Sequence, residues 1–524
     1  MTVNFKSLPD FDRRTFMKRL GLLMGASLTP GLKFAMNETL FGTAYAQAVA
    51  ANTPTYFVEI NYRDQVDLGQ VFVAPGLATA SNLRRGDTGD ACAMYVQQAN
   101  LTQRANNVYL TPESLALDPH LPNIAFCDLG EMTPGAIHYH NSANRMRSPD
   151  CSYTRSGGMG PMFDNDPVSN FPQGCEEYYS AMPTPASLHN HLQKQLTPGV
   201  RNGVALKGIT RSIHTVYHYA AGLQGGELDR MRSQQNLFNA FPATSTTTPS
   251  ILGSPAEAEL FSKMLKKVDP KFLQSRRQTQ SVIDQHVSQL NEAQVPLTRT
   301  STMSFDLRLT AAERTSWRQG VPEPNVDGFV EGQDGRPSSV EFQIWEQYAL
   351  ATKLLLSGLT RTVALEGEFI DIHNQRPQKQ MEVHAKQCAL PLARMIEAFK
   401  AGGIWDRTLI AIFTADGSRP PGAGYSGDRG KNTVVLAGGM IRGGYFGDVR
   451  VAGDLGNGHS YSYHMPDLTT GQPVSMGVRD GDNSRRVPGS RIWRTIAKAF
   501  GAPDTLVNGF APVASASPLP FMLL

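Results

Sequence analysis

The sequence is poor in cysteine, with five among 524 residues, and no two of them form a Cys-x-x-Cys pair. This argues against a thiolate zinc site and against a dithiol redox motif. The chain also lacks a Gly-x-Ser-x-Gly stretch, and its glycine-rich segments lack the context of a nucleotide-binding loop. Beyond the first 48 residues no apolar run is long enough to cross a bilayer, so we expect no membrane anchor in the mature protein.

An excess of charge of one sign is absent as well. The chain has 49 Lys and Arg against 46 Asp and Glu, and residues 1–48 hold six of the basic and three of the acidic residues. Without that segment 43 residues of each sign remain, so the basic character belongs to the N-terminus. We therefore expect no nucleic-acid partner. With 40% hydrophobic and 18% charged residues, the rest has the composition of a globular protein.

The five cysteines all follow residue 48. Cys151 and Cys175 flank a loop rich in Gly, Pro and Asp that a disulfide would staple in an oxidising compartment. Cys388 lies in a helical pattern, which indicates a buried apolar residue.

The N-terminal segment has the three parts of an export signal, and we predict that it is one. Asp12-Arg13-Arg14-Thr15-Phe16-Met17-Lys18 precedes an apolar stretch, Leu20 to Leu28, and Ala46 and Ala48 offer cleavage points. The paired arginines resemble the twin-arginine signal of bacteria, whose transporter moves folded proteins. The resemblance implies the twin-arginine export machinery as a partner and a periplasmic or secreted location. The alternative is a basic patch before an apolar anchor.

The remaining chain predicts an α/β fold with a mainly parallel sheet flanked by helices. Ile344, Tyr348 and Leu355 share one face of a helix that Gly358 ends, and a second helix runs from Met381 to Gly402-Gly403 with a kink at Pro391. Strands are predicted near residues 56–60, 204–209, 362–365, 408–413 and 433–436, and capping boxes begin helices at Ser254 and Thr310. We divide the chain into a signal (1–48), two parts of one core (49–228 and 340–510), a mostly helical insertion between them (229–339) and a tail (511–524).

Metal-type side chains follow three of these strands. Asp67 follows the first strand, Asp371 and His373 follow the strand at 362, and Asp416 follows the strand at 408. Ligands of open α/β sheets bind beyond the carboxyl ends of the strands, so we expect these four side chains within roughly 10 Å of one another. Each one alone is also compatible with a helix cap or a turn.

Several motifs resemble the exported bacterial family labelled domain of unknown function 1501, related to alkaline phosphatases and sulfatases. The matching segments are Glu368-Phe369-Ile370-Asp371-Ile372-His373, Ala415-Asp416-Gly417-Ser418-Arg419, Ala437-Gly438-Gly439-Met440-Ile441-Arg442-Gly443-Gly444, Tyr62-Arg63-Asp64-Gln65-Val66-Asp67 and His138-Tyr139-His140-Asn141-Ser142-Ala143. The resemblance implies an alkaline phosphatase-like fold. It also implies hydrolysis of phosphate or sulfate esters, with His140 and Ser142 in the catalytic segment.

The chain departs from the pattern of that family at three positions. Gly417 and Arg429 stand where relatives carry metal-binding histidines, and Tyr139 stands where a serine is expected. A two-metal centre needs more ligands than the four found here, so we expect at most one divalent ion, calcium, magnesium, manganese or zinc, or none. Two functions remain open, a metal-dependent ester hydrolase with a degenerate site and a non-catalytic binding or assembly protein.

Overall fold

The structure is a computed structural model of the whole chain. It describes residues 54–64, 68–81, 98–104, 107–130, 183–197, 200–206, 223, 226–231, 233–241, 243, 306–321, 343–370, 378–414, 432–454, 459–479 and 487–524. These residues form one central sheet, two small sheets and a set of covering helices.

The strands occur throughout the described part of the chain. In chain order they are β1 (Tyr56–Asp64), β2 (Phe72–Val73), β3 (Thr102–Gln103), β4 (Tyr109–Leu110), β5 (Ile124–Gly130), β6 (Val204–Leu206), β7 (Asp229–Met231), β8 (Thr362–Ile370), β9 (Thr408–Thr414), β10 (Asn432–Gly438), β11 (Gly444–Phe446), β12 (Asp448–Asp454), β13 (His459–His464) and β14 (Val478–Arg479). The strands predicted from the sequence all appear among them.

The central sheet has eight strands in the order β11-β5-β10-β9-β1-β8-β6-β7. Only β10 runs against its neighbours, pairing antiparallel with both β9 and β5, while the other pairs are parallel. The predicted α/β class with a mainly parallel sheet is therefore confirmed. Because the strands other than β10 point the same way, their carboxyl ends meet at one edge of the sheet, which we call the carboxyl edge. The opposite edge is the amino edge.

The central strands are buried on both faces, as expected for a parallel sheet covered by helices. In β1, Val58 and Ile60 face one hydrophobic core, whereas Phe57 faces the other. In β9, Ile410 and Ile412 join the first core, and neighbouring Leu409 joins the second. This two-sided burial explains why these strands read as continuous apolar runs.

Helices cover both faces. In chain order they are α1 (Pro75–Thr79), α2 (Pro185–Leu196), α3 (Gln234–Ala240), α4 (Ala311–Arg318), α5 (Ile344–Leu356), α6 (Gln378–Ala401), α7 (Gly489–Ala499), α8 (Asp504–Val507) and α9 (Ala511–Ala514), with 3₁₀ turns at Leu68–Gln70, Gln98–Asn100, Pro112–Asn123, Trp405–Arg407 and Pro520–Met522. The first core is covered by α5 and α6, and the second by α2 and α7. Among the described residues no helix is both long and apolar enough to span a membrane.

The helix ends agree with their sequence signals. Gly358 adopts a left-handed φ of 67° directly after α5, and Gly403 adopts 69° after α6. Pro391 lies inside α6, as predicted. Thr310 caps α4 in a capping box with Glu313, also as predicted. The second predicted box, at Ser254, lies outside the described residues.

Charged groups attach α4 to the outside of α5. No residue of α4 is fully buried. Arg314 bonds to Glu346 at 3.0 Å, and Glu313 pairs with Lys353 at 3.1 Å. Burial raises the pKa of the Glu346 carboxyl above its usual range, and Arg314 opposes that shift.

The small sheets pack beside the central one. Strands β12, β13 and β14 form an antiparallel sheet, and so do β2, β4 and β3. The polar and glycine-rich sequence around His459 and His464 predicts a loop, but these residues begin and end β13. The prediction was wrong because alternating Ser and Tyr residues fit a pleated strand as well as a loop.

The C-terminal residues Leu519, Phe521 and Met522 are buried in the second core.

Candidate functional site

The carboxyl ends of β9, β1 and β8 lie side by side at the centre of the sheet. Tyr62 of β1 is level with Thr414, the last residue of β9, and Asp64 is level with Ile370, the last residue of β8. The segments that leave these strands therefore start next to one another. This is the edge at which open α/β sheets bind their ligands.

The four predicted metal ligands follow these strand ends in the sequence. Asp371 comes directly after β8, Asp416 comes soon after β9, and Asp67 follows β1. These three residues and His373 lie outside the described residues. The structure therefore brings together the strands that precede the predicted ligands, and the predicted convergence of the side chains stays a prediction.

His140 and Ser142 also lie outside the described residues. They follow β5, which points in the same direction as β9 and is separated from it by β10 alone. The chain therefore leaves β5 at the carboxyl edge too. The catalytic role predicted for these two residues remains a prediction.

A pair of buried phenols lies just inside this edge. The hydroxyl groups of Tyr62 and Tyr348 are 3.1 Å apart, which ties the end of β1 to α5. Burial is the largest cause that raises the pKa of both phenols above their usual range, and Cys388 of α6 adds to it. Both phenols are therefore neutral at ordinary pH. Cys388 is buried, as its helical pattern predicted, and it forms no disulfide with another described residue.

Polar residues that the sequence reading missed occupy the interior of the strands. Asp128 of β5 is fully buried, and the Tyr445 hydroxyl donates to its Oδ2 at 2.8 Å. Glu59 and Asn61 of β1 are also buried. Asn61 Oδ1 makes no hydrogen bond within the described part of the chain. The available signal was a polar residue that interrupts an otherwise apolar strand, since such a residue needs a partner when buried.

The amino edge carries a different polar cluster, centred on His189 of α2. His189 Nδ1 lies 2.7 Å from Thr362 Oγ1, and its Nε2 lies 3.0 Å from Thr55 Oγ1. Gln193 bonds to both the backbone N–H and the hydroxyl of Thr55. Burial, helped by the charge of Arg361, lowers the pKa of His189 to about 3. The imidazole is therefore neutral and links helix to strand.

The second histidine of this helix has a local partner. His191 Nε2 lies 2.8 Å from Gln195 Nε2. Pro185 predicts the start of a helix, in which His189 and His191 do not share a face, and the helix is confirmed. No group of three or more His, Cys, Asp or Glu side chains suited to a metal ion occurs among the residues described.

Comparisons with known proteins give structural neighbours. No family profile matches the chain, and no curated protein sequence matches it. It is similar to the crystal structure of a protein in the alkaline phosphatase superfamily from Vibrio parahaemolyticus, at 10% identity and a TM-score of 0.29, over 82% of this chain and 69% of the other. It is also similar to Ps i-CgsB, at 10% identity and a TM-score of 0.29, over 89% and 77%.

A further similarity is to the lipoteichoic acid synthase LtaP from Listeria monocytogenes, at 8% identity and a TM-score of 0.28, over 90% of this chain and 98% of the other. Identities and TM-scores this low carry no argument about activity. The function has to be inferred from the chain itself.

Proposed function

We propose that the protein is an exported, alkaline phosphatase-like hydrolase of phosphate or sulfate esters with a reduced, single-metal site at the carboxyl edge. The observation that carries the proposal is the side-by-side arrangement of the ends of β9, β1 and β8. Asp416, Asp67, Asp371 and His373 are the metal-type residues that follow these ends in the sequence.

The donor set fits a single divalent ion. Three carboxylates and one imidazole form a mostly oxygen site, suited to calcium, magnesium or manganese more than to closed zinc coordination. When bound, such an ion would polarise an ester oxygen or lower the pKa of a bound water. Ser142 and His140 are the proposed catalytic residues of this chain, Ser142 as the nucleophile and His140 as its base.

Metal analysis combined with ester turnover tests this proposal. The purified protein should hold at most one divalent ion and should hydrolyse generic aryl phosphates or sulfates slowly. Asp371→Ala should lose both the ion and the turnover. Asp406→Ala is the matched control, because Asp406 is exposed in the 3₁₀ turn before β9, at the amino edge. Equal losses in both variants would contradict the proposed site.

The alternative is a non-catalytic binding or assembly protein that retains the fold. The specific observation in its favour is that Gly417 and Arg429 stand where phosphatase relatives carry histidines. This alternative requires no bound metal and no change in stability on addition of a chelator. Two bound ions with turnover abolished in Asp371→Ala would contradict both the alternative and the reduced site.

Export through the folded-protein route is a separate part of the proposal. It rests on Arg13 and Arg14 in their context of Phe16 and Lys18. Replacing both arginines by Lys should stop mature protein from reaching the periplasm in a fractionation assay. Delivery at the normal rate would refute the route.

A further inference from the structure

A serine and a histidine form a hydrogen-bonded pair on β13, away from the proposed metal ligands. Ser462 and His464 are two residues apart on one strand, so their side chains share a face of the small sheet. Ser462 Oγ lies 3.2 Å from His464 Nε2. Ser462 is partly exposed, whereas His464 is 5% exposed. The hydroxyl of a partly exposed serine is thus held against a buried imidazole.

The other ring nitrogen of His464 fixes the direction of this bond. His464 Nδ1 lies 2.8 Å from the carbonyl oxygen of Val474. A carbonyl only accepts hydrogen bonds, so Nδ1 carries the proton and Nε2 of the neutral ring carries a lone pair. Ser462 must then donate its hydroxyl proton to Nε2. This is the arrangement of a nucleophile, a base and a group that orients the base.

A glycine lets the backbone pass directly against the pair. A Cβ atom at Gly477 would lie 1.8 Å from Ser462 Oγ and 2.8 Å from His464 Nε2. Any other residue would clash with both groups. Gly477 therefore brings bare main chain against the hydroxyl.

Two charged residues of β12 lie opposite the pair. In the antiparallel register Asp448 is level with His464 and Arg450 is level with Ser462. Directly opposite side chains share a face, with Cβ atoms about 4.5–5.5 Å apart. Asp448 and Arg450 are joined by an ion pair of 2.8 Å. The register therefore places this ion pair on the same face of the small sheet as Ser462 and His464.

We propose that Ser462 and His464 form a metal-independent acyl-transfer site for carboxylic esters. Ser462 Oγ attacks the ester carbonyl, its proton moves to His464 Nε2, and that proton leaves with the alcohol as the ester C–O bond breaks. Water then attacks the acyl-serine with His464 as base, which releases the carboxylic acid and restores the serine. The chemistry requires no oxidant, reductant or cofactor, and it does not rest on the proposed metal site.

A fluorophosphonate reagent tests the nucleophile directly. Attack by Ser462 Oγ forms an O–P bond and expels fluoride, and the modified peptide is identified by mass spectrometry. We expect labelling of Ser462 in the presence of a chelator and in Asp371→Ala. Ser462→Ala should abolish the label, whereas Ser475→Ala should keep it, because Ser475 is an exposed serine close by in the segment that leads to β14.

The base is tested by His464→Gln, which should slow labelling and the hydrolysis of an aryl acetate about 100-fold. Thermal unfolding of each variant shows whether it is folded. If His464→Gln does not fold, the comparison of Ser462→Ala with Ser475→Ala decides the proposal. Absence of label at Ser462, or an unchanged rate in folded His464→Gln, overturns it. These labelling and hydrolysis results do not depend on whether the proposed metal site exists.

Discussion

The two edges of the central sheet differ in the polar residues that lie at them or follow them in the sequence. At the amino edge His189, Thr55, Thr362 and Gln193 bond to one another and join α2 to the starts of β1 and β8. At the carboxyl edge the strands end beside one another, and metal-type residues follow them in the sequence. Polar residues that satisfy each other contribute to stability, whereas polar residues that follow aligned strand ends are available to a ligand. His189 is therefore structural, and a ligand role for the residues that follow the carboxyl edge stays a proposal.

The largest expected effect is acid destabilisation through His189. The pKa of its imidazole is about 3 in the folded chain and about 6.5 in an unfolded one. Between these values the unfolded state binds the extra proton, so stability is complete above about pH 6.5 and falls as pH drops toward 3. The loss reaches on the order of 4–5 kcal/mol at the acid end. Urea unfolding at a series of pH values measures it.

The variant His189→Asn should be less stable near neutral pH but should lose this acid dependence. His191→Asn on the same helix serves as the control and should keep the dependence of the wild type. An unchanged slope in His189→Asn would show that another group causes the acid sensitivity. The comparison between the edges would then lose its main support.

The second effect tests the buried carboxylate of β5. Tyr445→Phe removes the hydroxyl that donates to Asp128 at 2.8 Å, so a buried carboxyl group loses a donor. We expect a loss of about 1–3 kcal/mol in the free energy of unfolding. Tyr109→Phe is the control, since its hydroxyl has no hydrogen-bond partner within the described ranges, and it should cost less than about 0.5 kcal/mol. Equal costs would show that the hydrogen bond contributes nothing.

A smaller effect is expected from Tyr62→Phe, which leaves the Tyr348 hydroxyl without its partner at 3.1 Å. The cost should be about 1 kcal/mol. Because burial raises the pKa of both phenols, neither ionises near neutral pH. The cost should therefore be the same at pH 6 and at pH 9, each to within about 0.3 kcal/mol. A cost that changes with pH would contradict the neutral pair.

The smallest effect on stability should come from the proposed ligands. Asp67→Asn and Asp416→Asn should change the free energy of unfolding of metal-free protein by less than about 0.5 kcal/mol. The same variants should weaken metal binding more than about tenfold. Calorimetric titration with magnesium, calcium and manganese measures the second quantity. A large loss of stability with unchanged metal binding would reverse the roles assigned to the two edges.

Local patterns predicted the helices and strands well. Ile344, Tyr348 and Leu355 marked α5 because their spacing fits a helix that buries one face, and Thr310 marked the start of α4 through its capping box. The apolar run of β9 marked a strand buried on both faces. These signals depend on a few neighbouring residues, and so do the helix capping and the strand burial that they predict.

The sequence alone did not predict the direction in which strands pair or the contacts that buried polar groups make. An apolar strand such as β10 reads the same whether its neighbours run parallel or antiparallel, so its reversal had no signal. Ser462 and His464 bond within one strand, but the approach of Gly477 to this pair is set by tertiary packing, which the sequence does not show. The candidate ligands were found from residue type and strand ends alone, and this explains why their mutual geometry stayed a prediction.

The parallel pairing of β1 with β8 has a consequence for the timing of folding. Phe57 is level with Thr362, so the two strands are separated by about 300 residues of chain. At a synthesis rate of about 5–20 residues per second, roughly 15–60 s pass between the appearance of one strand and that of its partner. An export signal at Arg13 and Arg14 would leave the ribosome before either strand. Such a signal would be exposed long before the central sheet can form. Export in the folded state would therefore require that the transporter act only after β8 has paired with β1, or that a chaperone cover β1 until then.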